Sequence, residues 1–171
     1  LINFAAGDGV SSGENETGVT IGSAGKILAN SGKIYLSAQD ARAVVNAAVR
    51  VDGLVSASNS IRNADGSVTL GNGQGGTVNA NSQGLASVTG TPSVTGAIEA
   101  VGANGGTISI RARAISQGGT VAANGLTQGG NVVLSATGQL SLAGTTSANG
   151  ELSLGVGGRL ATARGACWKL A

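Results

Sequence analysis

Few residues in this chain have side chains suited to chemistry. The acids are Asp8, Glu14, Glu16, Asp40, Asp52, Asp65, Glu99 and Glu151. Polysaccharide lyases and hydrolases need clustered carboxylates as acid, base or calcium ligands, or a base paired with Arg. None of the eight recurs on one face at a repeat period; Asp52 and Asp65, at neighbouring turns, come nearest. The absence of His excludes a His-based triad or His metal site. The single Cys167 excludes an internal disulfide. Sugar sites favour aromatic platforms, and only Phe4, Tyr35 and Trp168 are present. The expectation is a chain with no catalytic residue, no cofactor and no metal, and hence not an enzyme.

Three other patterns invite a binding role. Arg111 and Arg113 share the outward side of one alternating stretch. A solvated face explains such a pair; the sharper reading is a small basic spot for an acidic glycan. Gly71-x-Gly73-x-x-Gly76 matches the dinucleotide fingerprint, but the following TVNANSQG reads as strand and turn, with no helix to meet a phosphate. Thr77, Thr107 and Thr120 each follow Gly-Gly, as outward threonines of an ice-binding surface would. The column Ser67, Leu85, Thr107, Asn131, Glu151 is too mixed for that.

These residues sit on a repeating frame. In Gly105–Ala114, Ile108, Ile110, Ala112 and Ala114 alternate with Thr107, Ser109, Arg111 and Arg113, the period of a half-buried strand. The phrase returns as GGTVNAN at Gly75, GGTVAAN at Gly118 and GGNVVLSA at Gly129. Aligning each Gly with apolar +2 and +4 positions produces two interleaved series. One holds Ile34/Leu36, Val68/Leu70, Ala86/Val88, Ile108/Ile110, Val132/Leu134 and Leu152/Leu154. The other, usually ending in Ala, begins at Gly25, Gly53, Gly76, Gly96, Gly119, Gly138 and Gly158. A common period of about 20 residues suits parallel strands stacked at about 4.8 Å, each landing on its equivalent in the preceding coil. Val68, Ala86, Ile108, Val132 and Leu152 are expected to form one internal ladder. Ala-Asn pairs before Gly or Ser, as at Asn30, Asn81, Asn104, Asn124 and Asn149, suit tight corners that require positive φ.

The predicted fold is all-β: a right-handed parallel β-helix over 25–160, with two strands per coil and a third left unplaced. Residues 1–24 read as an irregular segment. An insertion spans 37–50. Within it Ser37 and Asp40 have capping-box spacing, and Ala41, Val44, Val45 and Ala48 share a helical face. Val45, Ala47, Val49 and Val51 also alternate, so a short helix near 38–48, or a helical turn running into a strand, is expected. Residues 161–171 read as a cap or a tail.

Composition agrees with this frame. Apolar residues make up 41% and aromatics 2%, so the core must be Val, Ile, Leu and Ala. Gly numbers 31 against one Pro, excluding collagen. A net charge of +2 is no polybasic signature for nucleic acid or membrane. No apolar run approaches the roughly 18 residues of a membrane span. Leu1-Ile2-Asn3-Phe4 lacks Met and a charged n-region. A fragment or processed form is expected, with any export signal upstream.

The stretch GKILANSGKIYLSAQDARAVVNAAVRVDGLVSA at 25–57 resembles the filamentous haemagglutinin-type exoproteins of bacterial two-partner secretion. These carry similar "G-x-I-x-A-x-G-G-x-[IV]-x-L" phrases, followed by an Ala-rich stretch and "V-x-G-x-[IV]". Leu1–Phe4 is similar to the segment preceding such a phrase, and the later GGTIS, GGTVA and GGNVVLSA units to that family's repeats. The resemblance implies a right-handed parallel β-helix, export through an outer-membrane partner transporter, a secreted or cell-surface location, and adhesion to a host-cell or glycan ligand. It covers most of residues 1–160. The family's Asn-Pro-Asn motifs are missing, the only Pro being Pro92, so transporter recognition attaches to no residue here. The alternative on the same fold is a carbohydrate-active lyase or hydrolase.

Overall fold

The computed structural model describes residues 2–6, 17–38, 47–62, 68–70, 73–91, 94–162 and 167–170. These form β-strands with no helix, and most strands pair in parallel. Strands of three main kinds follow one another along the chain, and each pairs with its counterpart in the next layer. The first stack is β1 (Ile2–Ala6), β4 (Lys33–Ala38), β9 (Thr77–Ser82), the starts of β15 (Thr107–Gln117) and β18 (Asn131–Leu142), and β20 (Glu151–Val156). The second is β2 (Thr17–Ile21), β5 (Ala47–Val51), β10 (Leu85–Val88), the ends of β15 and β18, and β21 (Arg159–Thr162). Because β15 and β18 run through both, the two stacks join as one ten-stranded sheet. The third stack is a six-stranded sheet of β3 (Lys26–Leu28), β6 (Leu54–Ser56), β13 (Ala97–Glu99), β16 (Thr120–Ala123), β19 (Thr145–Ala148) and β22 (Cys167–Leu170).

The core lies between these sheets and is built by register. Ile34, Val78, Ile108, Val132 and Leu152 align across the first stack, as do Leu36, Ala80, Ile110, Leu134 and Leu154. All are buried except Leu152 and Leu154, which are half-buried in the last layer. Val49, Ala86, Ile115 and Leu140 fill the second stack, and Val55, Ile98 and Val121 the third. Each fully buried Val, Leu or Ile stabilises the fold by about 1.5–3 kcal/mol. Two polar side chains enter the ladders. Gln117 is satisfied: its Nε2 donates to the Gly119 and Thr145 carbonyls at 2.8 and 3.0 Å, and its Oε1 accepts the Gly144 N–H at 3.3 Å. Thr146 is buried with no partner for its hydroxyl.

The corners are set by backbone proximity. The Gly76 carbonyl accepts the Thr107 N–H at 3.0 Å, and the Gly96 carbonyl accepts the Thr120 N–H at 2.9 Å. A Cβ on Gly106 or Gly119 would stand 2.1 Å from the same carbonyl oxygen. The corner glycines Gly76, Gly96, Gly106 and Gly119 do not adopt left-handed φ, contrary to the expectation from turn chemistry; the positive φ outside glycine among the described residues is Ser31, at 52°. Glycine is therefore needed for closeness. Asn149 clamps another corner, accepting the Gly125 N–H at 2.8 Å and donating to the Gly125 carbonyl.

Several expectations require correction. Val68 and Leu70 are not in the parallel ladder. They belong to β8 (Val68–Leu70), antiparallel to β7 (Ser60–Arg62), and Val78 and Ala80 take the ladder positions. Ala86 aligns with Ile115 in the second stack rather than with Ile108. Each full layer thus supplies a strand to each of the three stacks, and in two layers a further short strand, Gly102–Asn104 and Gly125–Gln128, pairs in parallel between the third and first stacks. The strand left unplaced by the sequence is that of the second stack, which β15 and β18 reach from the first without a Gly-Gly marker. Residues 2–6 and 17–21, expected to be irregular, are paired strands, and Cys167–Leu170 pairs with Thr145–Ala148 as a further strand. The expected helix falls mainly on 39–46, outside the described residues; its flanks, Lys33–Ala38 and Ala47–Val51, are strands.

Gly106→Ala and Gly119→Ala should each lower stability by on the order of 3 kcal/mol in urea unfolding. Gly22→Ala, where a Cβ meets nothing within 4 Å, should change it by no more than about 0.5 kcal/mol. Thr146→Val removes a buried unpaired hydroxyl and should raise stability by about 1 kcal/mol in the same assay.

Candidate functional site

The two arginines mark the most distinctive place on the surface. Arg111 aligns with Asn81 on one side and Ser135 on the other. Ala114 aligns with Leu85 and Gln139. In this layer only Ala112 and Arg113 turn the corner between the first and second stacks. In the layers on either side, Ser82–Gly84 and Ala136–Gly138 turn it with one residue more. The register shift between Ala112 and Ala114 records this mismatch.

The shorter turn leaves a recess. An open groove of about 360 Å³ is lined by Asn81, Ser82, Gln83, Arg111, Arg113, Ser135 and Thr137, over a floor of Ala38 and Ala112. A second, of about 400 Å³, lies beside it along Gly84, Leu85, Ala114, Gly138 and Gln139, and shares Arg113. Arg111 and Arg113 are both exposed, so their guanidinium groups are available to a ligand. The two arginines paired by sequence therefore share one groove, whose walls carry hydroxyls and amides.

The carboxylates are distributed differently. Asp52 lies at the turn between β5 and β6, where it accepts the Thr89 hydroxyl at 2.6 Å, a contact that ties two layers. Glu99 lies at the outward position of β13 between Ser56 and Ala122, and burial raises its pKa above the usual 4.5. Glu151 is exposed at the start of β20. Asp65 lies outside the described residues. Among the described residues no group of three His, Cys, Asp or Glu could hold a metal ion.

The glycine fingerprint lines a third groove, of about 470 Å³, with Ser31, Lys33 and Asn59. Its backbone donors are already committed. The N–H groups of Gly75, Gly76 and Thr77 donate to the Asn104, Ala57 and Gly32 carbonyls at 2.7, 2.7 and 3.0 Å. A phosphate cradle needs such groups free; Gly71 lies outside the described residues. The observed outward column replaces Ser67 and Leu85 with Lys33 and Thr77, ahead of Thr107, Asn131 and Glu151, and remains mixed. No helix among the described residues is long and apolar enough to cross a membrane.

Gln117 and the Asp52–Thr89 contact were not singled out by sequence. A polar residue in an apolar alternation was the available signal for Gln117, but the strand was read as ending at Ala114. Comparison with protein-family models, curated proteins and solved structures finds no match.

Burial makes the charged form of Glu99 costly in the native state only. Its raised native pKa means that the native state holds the proton more tightly, so this group's contribution to stability falls as pH rises past 4.5. Glu99→Gln should therefore be more stable than the parent at pH 7. Thermal melts should show the advantage shrinking to nothing as pH falls below 4.5.

Proposed function

We propose that the chain is a non-catalytic segment of a secreted or cell-surface exoprotein, built as a right-handed parallel β-helix and acting as an adhesin or as the stalk that extends one. The observation that carries this reading is the division of labour along each strand. Inward positions repeat as aliphatic ladders, and corner glycines repeat as close backbone contacts. Outward positions change from layer to layer: Ser37, Asn81, Arg111, Ser135 and Gly155 follow one another on one column. A frame that stacks identically while displaying different side chains suits an extended binding surface or spacer. Three main strands per layer, joined in parallel register, support the β-helical description.

Export through an outer-membrane partner transporter rests on the resemblance at 25–57 and on the similar later repeats. The location can be tested directly. Lys26 and Lys33 are exposed. In cells that produce the protein, a membrane-impermeant amine reagent should label them without lysis, on the cell surface or in shed protein. Labelling only after lysis would overturn the proposed location.

A further inference from the structure

We infer that the groove at the shortened corner of β15 is a binding site for a carboxylated polysaccharide, a polyuronate chain. The inference rests on the surface-binding reading and supplies its ligand class. Its physical basis is the recess created where Ala112 and Arg113 turn a corner that the adjoining layers turn with three residues.

The occupant follows from the groove's chemistry. Arg111 precedes the corner and Arg113, two residues on, stands in it; both line the same groove. Each guanidinium presents a planar fork that matches a planar carboxylate through two parallel hydrogen bonds. Asn81, Ser135 and Thr137 line the walls around them, and their amide and hydroxyls are of the kind that pairs with sugar hydroxyls. The neighbouring recess past Arg113 continues the track beside Leu85 and Gln139, so an extended chain can follow β15 around the corner between the longer turns of the adjoining layers. No aromatic side chain lines either recess, so stacked bases have no platform there, and a sugar chain would be held through its charges and hydroxyls alone. The small net charge of +2 also argues against a nucleic-acid track. The two cations meet repeated anionic groups, and the polar walls meet the rings between them.

Polyuronate, a sulfated polysaccharide and a neutral glucan, each immobilised, would be challenged with the purified chain at low and physiological salt. Single-stranded DNA forms a fourth arm. Polyuronate should retain the chain, with retention falling as salt rises. The paired substitution R111Q/R113Q, on exposed positions, should weaken retention at least tenfold without changing the thermal midpoint. Lys33→Gln, in the other groove, should leave it unchanged. Inserting one Gly between Ala112 and Arg113 keeps both charges but restores the longer corner; if that variant melts cooperatively, it should lose retention to a similar extent. Equal binding of parent and R111Q/R113Q to polyuronate would overturn the site. Binding only to the sulfated chain, or equally to glucan or DNA, would overturn the ligand class. Failure here leaves the cell-surface labelling result intact, because this assay uses purified chain.

Discussion

The approach of backbone to backbone at the glycine corners is the constraint on which the rest depends. A carbonyl at one corner accepts a hydrogen bond from the residue just after the equivalent glycine of the next layer. The distance that makes this bond leaves no room for a Cβ on that glycine. Parallel strands are spaced by their own ladder at about 4.8 Å. If a corner held its layers further apart, the strands beside it could not stay paired. The high glycine content is therefore a packing requirement, which separates it from the flexible glycine of linkers.

With the corners fixed, each strand has two independent sides. The inner side must stack on its copies, so Ile, Val, Leu and Ala recur there with little variety. Gln117 is instructive because it breaks that rule at low cost. It sits at the end of β15, where the next corner exposes carbonyls and N–H groups, and its amide meets both. Thr146, with its short side chain, reaches no such group and leaves its hydroxyl unpaired. The same kind of interior position therefore tolerates a long amide that reaches the backbone of the next corner and penalises a short hydroxyl that reaches no partner.

The frame was legible in sequence because alternation and Gly-Gly spacing are local signals. Ile34, Leu36, Ile108, Ile110, Val132, Leu134, Leu152 and Leu154 fall into register as their spacing implies. The reading failed where one local phrase serves two structures. GSVTL at Gly66 has the same pattern as a stacking strand, yet Val68–Leu70 pairs antiparallel with Ser60–Arg62. Hairpin and stack make equal demands on alternation, and only the partner strand distinguishes them. The second stack was obscured for another reason. At the bend of β15 the alternation changes phase, with Ala112 and Ile115 buried on either side of exposed Arg113. A strict period of two cannot cross such a bend. The arginine pair was visible as residue types, but the recess around it was not, because it depends on comparing corner lengths across three layers.

That comparison shows where a repetitive frame can vary. The inner ladder is constrained by packing and the glycine contacts by closeness. Outward side chains and corner length remain free. Lengthening a corner adds material outside the stack, as the antiparallel pair Gly90–Thr91 and Val94–Thr95 does between β10 and β13. Shortening a corner removes material and leaves a recess between longer neighbours. The second change creates a concave surface without disturbing the ladders, since Arg111 and Ala114 keep their partners on both sides. A concave place bearing two cations, on a frame whose outward columns are mixed, is where binding specificity can be concentrated at least cost to the stack.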